Sequence, residues 1–132
     1  MEPNESAEPI VLIIEDDPGH QRMLEILVKR LGCRCECAFD GKAGLAKANT
    51  NRYDLIFVDI HIPELDGFMV VRFLRDRGLS TPAIAVTALQ LQGIDRSALA
   101  AGFNDFLRKP IDQQMVAAIL EKHLHIRQPA SR

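Results

Sequence analysis

Short apolar runs rich in Ile, Val and Leu recur along this chain, and each one ends on a charged or hydroxyl-bearing residue. Ile10-Val-Leu-Ile-Ile14 leads into Glu15 and Asp16, Leu55-Ile-Phe-Val58 into Asp59, Ala83-Ile-Ala-Val86 into Thr87, and Phe106-Leu-Arg108 into Lys109. Runs that are apolar throughout, rather than at alternate positions, suit parallel strands covered on both faces. In an open α/β sheet the carboxyl ends of such strands line one crevice. Three acids, a hydroxyl and an ammonium are therefore expected to converge there.

Helical patterns separate the runs, the signature of repeated βα units. The first helix starts near Pro18, where Leu24, Leu27, Val28 and Leu31 form one apolar stripe, and Gly32 is placed to end it in a left-handed conformation. A second strand covers about Arg34 to Ala38. Asp40 is placed to cap a helix reaching about Asn49, and Asp66 to cap one that turns Phe68, Val71 and Leu74 inward. A shorter helix runs from about Asp95 to Ala101 and ends at Gly102. The last starts at Asp112 and buries Val116, Ile119, Leu120 and Leu124. Five strands and five helices are expected. Residues 1–8 read as a disordered acidic tail, 9–125 as one folded domain and 126–132 as a flexible C-terminal tail.

Composition narrows the function classes. A chain of 132 residues, 47% apolar and 26% charged, suits one ordinary domain. A net charge of −2 with scattered basic residues argues against nucleic acid or a membrane surface as a direct partner. The apolar runs are far shorter than the roughly 20 residues that span a bilayer, and the acidic start does not read as a signal peptide, so a cytoplasmic setting is expected. Cys33, Cys35 and Cys37 alternate along the second strand, which points their sulfurs to one face at steps of about 7 Å. They read as small apolar residues of a reducing compartment, because a four-ligand zinc site needs more donors than these three.

Glu15, Asp16 and Asp59, brought to neighbouring strand ends, repel one another unless a cation compensates. Mg²⁺ fits a set made of oxygen donors, and Lys109 adds a fixed positive charge. In that setting Asp59 can act as a nucleophile toward a phosphoryl group, giving an acyl phosphate, while Thr87 donates its hydroxyl hydrogen to a phosphoryl oxygen.

The chain resembles a response-regulator receiver domain of two-component signalling across about residues 9 to 125. The words that carry the resemblance are Val11-Leu-Ile-Ile-Glu-Asp-Asp17, Tyr53-Asp-Leu-Ile-Phe-Val-Asp59, Pro63-Glu-Leu-Asp-Gly67, Ala85-Val-Thr-Ala88 and Asp105-Phe-Leu-Arg-Lys-Pro110. It implies a flavodoxin-like, doubly wound (βα)5 fold with a parallel five-stranded sheet in the order 2-1-3-4-5. It further implies Asp59 as phosphoacceptor and a Mg²⁺ site made by Asp16, Glu15, Asp59 and the backbone carbonyl of His61. Thr87 becomes the switch hydroxyl, Lys109 the phosphate-pairing cation and Phe106 the aromatic that follows phosphorylation, with a cis bond before Pro110.

The implied partners are a histidine kinase or histidine phosphotransfer protein upstream and a protein target downstream, with the chain a monomer or a phosphorylation-dependent dimer. The 132 residues leave no room for an output domain, so the signal is expected to leave by protein contact or onward phosphotransfer. No reaction is expected beyond the chain's own Mg²⁺-dependent phosphorylation and dephosphorylation. The rival reading is a phosphorylation-independent interaction module on the same fold, although such a module would normally have lost the acceptor or the lysine. The resemblance further implies that His61 and Leu89, two residues beyond Asp59 and Thr87, flank the route by which water reaches the phosphoryl group. Leu89 offers no acceptor to orient that water, so slow self-dephosphorylation is expected. His20, His123 and His125 read as ordinary surface histidines.

Overall fold

The expected strands and helices all form, and their order places every polar run-end on one edge of the sheet. The computed structural model describes residues 8–62 and 65–124. Among these, the strands are β1 (Ile10–Ile14), β2 (Arg34–Ala38), β3 (Leu55–Asp59), β4 (Ala83–Thr87) and β5 (Asp105–Arg108). The helices are α1 (Pro18–Arg30), α2 (Gly41–Thr50), α3 (Gly67–Asp76), α4 (Ile94–Ala101) and α5 (Gln113–Leu124). All strand pairs are parallel, in the order β2-β1-β3-β4-β5. The tails expected at 1–8 and 126–132 lie outside the described residues except for Glu8, as do Pro63, Glu64 and His125.

Because successive side chains of a strand point to opposite faces, each apolar run feeds two cores. Val11, Ile13, Leu55, Phe57, Ile84, Val86 and Leu107 face α1 and α5, meeting Leu24 and Val28 of the first and Val116 and Leu120 of the second. Leu12, Ile14, Ile56, Val58, Ala83 and Ala85 face α2, α3 and α4, against Ala48, Val70, Val71, Leu74 and Ala98. Val11 to Ile14 are fully buried, and each such side chain contributes about 1.5–3 kcal/mol of transfer free energy. The sheet is thereby fixed from both sides, and its carboxyl edge becomes a rigid platform.

Aspartates set where the helices begin. Asp17, Asp40, Asp66 and Asp112 accept hydrogen bonds from the backbone N–H of His20, Ala43, Met69 and Met115, satisfying donors that the first helical turn leaves free. α4 differs: it starts at Ile94 rather than near Asp95, after Gly93 in a left-handed conformation and without a side-chain cap. Gly32 follows α1 with φ of 91°, the conformation expected of it. Gly67 is required for another reason. A Cβ there would lie 2.8 Å from the Asp59 carbonyl oxygen, so the bare backbone lets α3 approach the end of β3.

All three cysteines face the α1–α5 core, as expected, but to different depths. Cys33 is buried just before β2, but Cys35 and Cys37 are only half-buried, and their sulfurs lie within 4.8 Å of each other rather than a full two-residue step apart. Side chains lean along a strand as well as away from it, which closes that gap. Among the described residues no helix is long and apolar enough to cross a membrane.

Candidate functional site

The site is built from the last residue, or the first residues beyond, of four adjacent strands. Asp59 ends β3 and is 7% exposed, Thr87 ends β4 and is 1% exposed, and Glu15 follows β1 at 3%. Lys109 follows β5 and is tied to the neighbouring strand by its N–H, which donates to the Thr87 carbonyl at 2.9 Å. Its ammonium reaches Glu15 Oε1 at 2.8 Å and Asp59 Oδ2 at 2.9 Å. One cation therefore compensates two buried acids.

The remaining oxygens are also held. The His61 N–H donates to Asp59 Oδ1 at 2.9 Å, and the Asp17 N–H donates to Glu15 Oε2 at 3.0 Å. Thr87 Oγ1 accepts from the Leu89 N–H at 3.1 Å, which leaves its own hydrogen for another acceptor. Burial pushes the Glu15 carboxyl up to about 7, against the opposing pull of Lys109 and the Asp17 N–H. Burial also weighs against the Lys109 ammonium, but the hydrogen bonds to Glu15 and Asp59 outweigh it and hold the lysine above its ordinary value.

Glu15, Asp16 and Asp59 offer carboxylate oxygens that all lie within 4.8 Å of one another. Asp16 is exposed, at the open side of the pocket. An oxygen-only donor set of this size, two of its acids buried and one in solvent, fits Mg²⁺, which prefers oxygen ligands and keeps several waters. His61 follows Asp59 by two residues with its side chain exposed. Phe106 is half-buried against the α2–α3–α4 core, with the Arg108 guanidinium carbon 5.7 Å from its ring centre. The Lys109–Pro110 peptide bond is cis.

Two contributors carry little sequence signal. His20 reads as a surface imidazole, yet its Nδ1 lies 2.9 Å from the Lys109 ammonium and so serves as the acceptor there. Gln21, buried inside α1, donates through Nε2 to the carbonyls of Glu15 at 3.1 Å and Ala38 at 3.3 Å, pinning the acidic loop to β2. A polar residue on the stripe side of an amphipathic helix was the available clue to Gln21. A cavity of about 240 Å³ opens beside the pocket, between α1 and the segment after β5, lined by His20, Met23, Leu24, Lys109, Pro110 and Ile111 among others.

The family described as response regulator receiver domain matches residues 11–121. The chain is 32% identical over 121 residues to hybrid signal transduction histidine kinase L of Dictyostelium discoideum, a match covering 86% of this chain and 7% of that protein. It thus spans a small fraction of that relative's length. Among solved structures, the receiver domain of a sensor histidine kinase from Pseudomonas aeruginosa, with a magnesium ion coordinated in its active-site cleft, is 37% identical with a TM-score of 0.82. That likeness covers 90% of this chain and 99% of the other. A Francisella response regulator receiver domain is 30% identical with a TM-score of 0.84, covering 89% and 98%.

Proposed function

The chain belongs to the response regulator receiver domain family, and from that premise we propose that Asp59 accepts a phosphoryl group from the phosphohistidine of a histidine kinase or histidine phosphotransfer protein. An Asp59 carboxylate oxygen attacks phosphorus, the phosphorus–nitrogen bond breaks, and the departing imidazole nitrogen takes a proton. Lys109 neutralises the phosphoryl oxygens from the position where it now pairs with Asp59 and Glu15. Thr87 donates its free hydroxyl hydrogen to one of those oxygens. Glu15, Asp16, Asp59 and the carbonyl of His61 would hold Mg²⁺, whose chemistry is to neutralise further phosphoryl charge.

Phosphorylation then acts through Thr87 and Phe106. Drawing the hydroxyl toward the phosphoryl group loosens the Leu89 N–H contact, and the half-buried Phe106 ring rearranges with it, biasing an equilibrium between two forms that a protein target distinguishes. The signal leaves by that contact or by onward phosphotransfer, in the cytoplasm, from a monomer or a phosphorylation-dependent dimer.

The observation that carries this reading is the double ion pair of Lys109, because it joins a nucleophile and a charge acceptor in one water-poor pocket. The test is the intact mass of the chain after incubation with acetyl phosphate and Mg²⁺. A gain of about 80 Da, abolished by a chelator and absent from Asp59→Asn, is the expected result. No gain with acetyl phosphate or with any phosphorylated histidine donor would favour a phosphorylation-independent interaction module.

A further inference from the structure

A second cluster of metal-ligating groups lies on the far edge of the sheet. Glu25 of α1 reaches over β2, the edge strand, and its carboxylate lies with the Cys35 and Cys37 sulfurs so that the three donor atoms are all within 4.8 Å of one another. All three residues are half-buried, shielded but open to an ion. Cys33 is excluded: it is buried in the core beneath α1.

We propose that Glu25, Cys35 and Cys37 form a Zn²⁺ site, binding the ion through two thiolates and one carboxylate. Zinc–sulfur and zinc–oxygen bonds of about 2.3 and 2.0–2.2 Å at tetrahedral angles put donor atoms about 3.5–3.8 Å apart. The existing cluster, its donor atoms within 4.8 Å of one another, is at most about 1.3 Å wider than that spacing. Soft thiolates select zinc over the Mg²⁺ suited to the acidic pocket, so the two sites discriminate by ligand chemistry. Three protein donors leave a fourth position for water or an incoming group.

Cys35 and Cys37 pack against the margin of the α1–α5 core, and the Glu25 carboxylate lies over them. A carboxylate turned onto two thiols has no place in an apolar row. Lys29 now pairs with Glu25 at 3.0 Å, but its side chain is 58% exposed, and a surface pair of this kind yields readily to a divalent cation. On binding, the two thiol protons pass to solvent.

The test uses the full chain, reduced with a phosphine and free of Mg²⁺, titrated with Co²⁺ as a spectroscopic probe. One equivalent is expected to raise a sulfur-to-cobalt charge-transfer band that Zn²⁺ then removes. The band should be missing from the Cys35→Ser/Cys37→Ser double variant and retained in Cys33→Ser. Glu25→Gln should weaken Co²⁺ binding by about tenfold or more, at least the loss that follows removal of an outer partner. A native chain with no such band overturns the proposal without reference to any variant. So do a band that survives in the double variant, a band lost in Cys33→Ser, and unchanged affinity in Glu25→Gln.

Discussion

The Lys109 ammonium lies 2.9 Å from the Asp59 carboxylate although Asp59 ends β3, Lys109 follows β5 with β4 between them, and the two are 50 positions apart in sequence. The same ammonium is 2.8 Å from Glu15, so its removal strands two carboxylates at once. Lys109→Met is expected to lower stability by about 3 kcal/mol at pH 8, the lower end of what breaking a buried pair costs. The loss should shrink at pH 5, where the acids can neutralise themselves by taking up protons. Urea unfolding at both pH values, in the presence of a chelator, measures it.

Glu15 makes stability depend on pH in an unusual direction. Its carboxyl titrates near 7 in the folded chain against its ordinary 4.5, so between those values the folded state holds more protons than the unfolded one. Stability therefore falls as pH rises through that window, by up to about 3 kcal/mol. Unfolding curves at pH 5, 6, 7 and 8 without metal should show the decline, and Glu15→Gln should flatten it.

Leu89 is expected to set the lifetime of the phosphorylated form. Its side chain packs against the α2–α3–α4 core and offers nothing to position water near Asp59. Leu89→Glu supplies an acceptor at that place, and the phosphoryl group should be lost several-fold faster than from the native chain. Phosphate release after removal of the donor follows the rate.

Arg75 braces the reverse side of the molecule. Its half-buried guanidinium donates to the carbonyls of Gly102, Leu79 and Thr81 and to Asn104 Oδ1, at 2.7–3.0 Å. Arg75→Lys cannot reach four acceptors with a point charge, and a loss of about 2 kcal/mol is expected from the carbonyls left without a donor. A shift in the urea midpoint with an unchanged slope would show it.

Gly67→Ala tests the route from α3 to the nucleophile. A methyl group there meets the Asp59 carbonyl oxygen and Ile60 Cα, both at 2.8 Å, with backbone on each side that cannot give way cheaply. Phosphorylation by acetyl phosphate should slow by about tenfold or more, since small displacements of reacting groups are costly. Circular dichroism should remain native.

The strands and most helix starts were legible because their signals are local. An apolar run needs no partner to be recognised, and Asp17, Asp40, Asp66 and Asp112 cap helices through atoms three residues away. The pocket was legible because its members end such runs. Contacts made by long side chains across the fold were not. Nothing near His20 announces Lys109, which is 89 positions distant, and nothing near Glu25 announces two thiols on the next strand. Arg75 collects its acceptors from two separate loops. The start of α4 slipped by a residue because Gly93, not a polar cap, sets it.

That the pocket is assembled from the ends of four strands has a consequence for the order in which a newly made chain gains competence. Glu15 and Asp59 leave the ribosome long before Lys109, which trails Glu15 by 94 residues. Until β5 docks, the two acids face each other without their cation, and the pocket is incomplete. A nascent or partly folded domain thus lacks the assembled pocket until its last strand is in place.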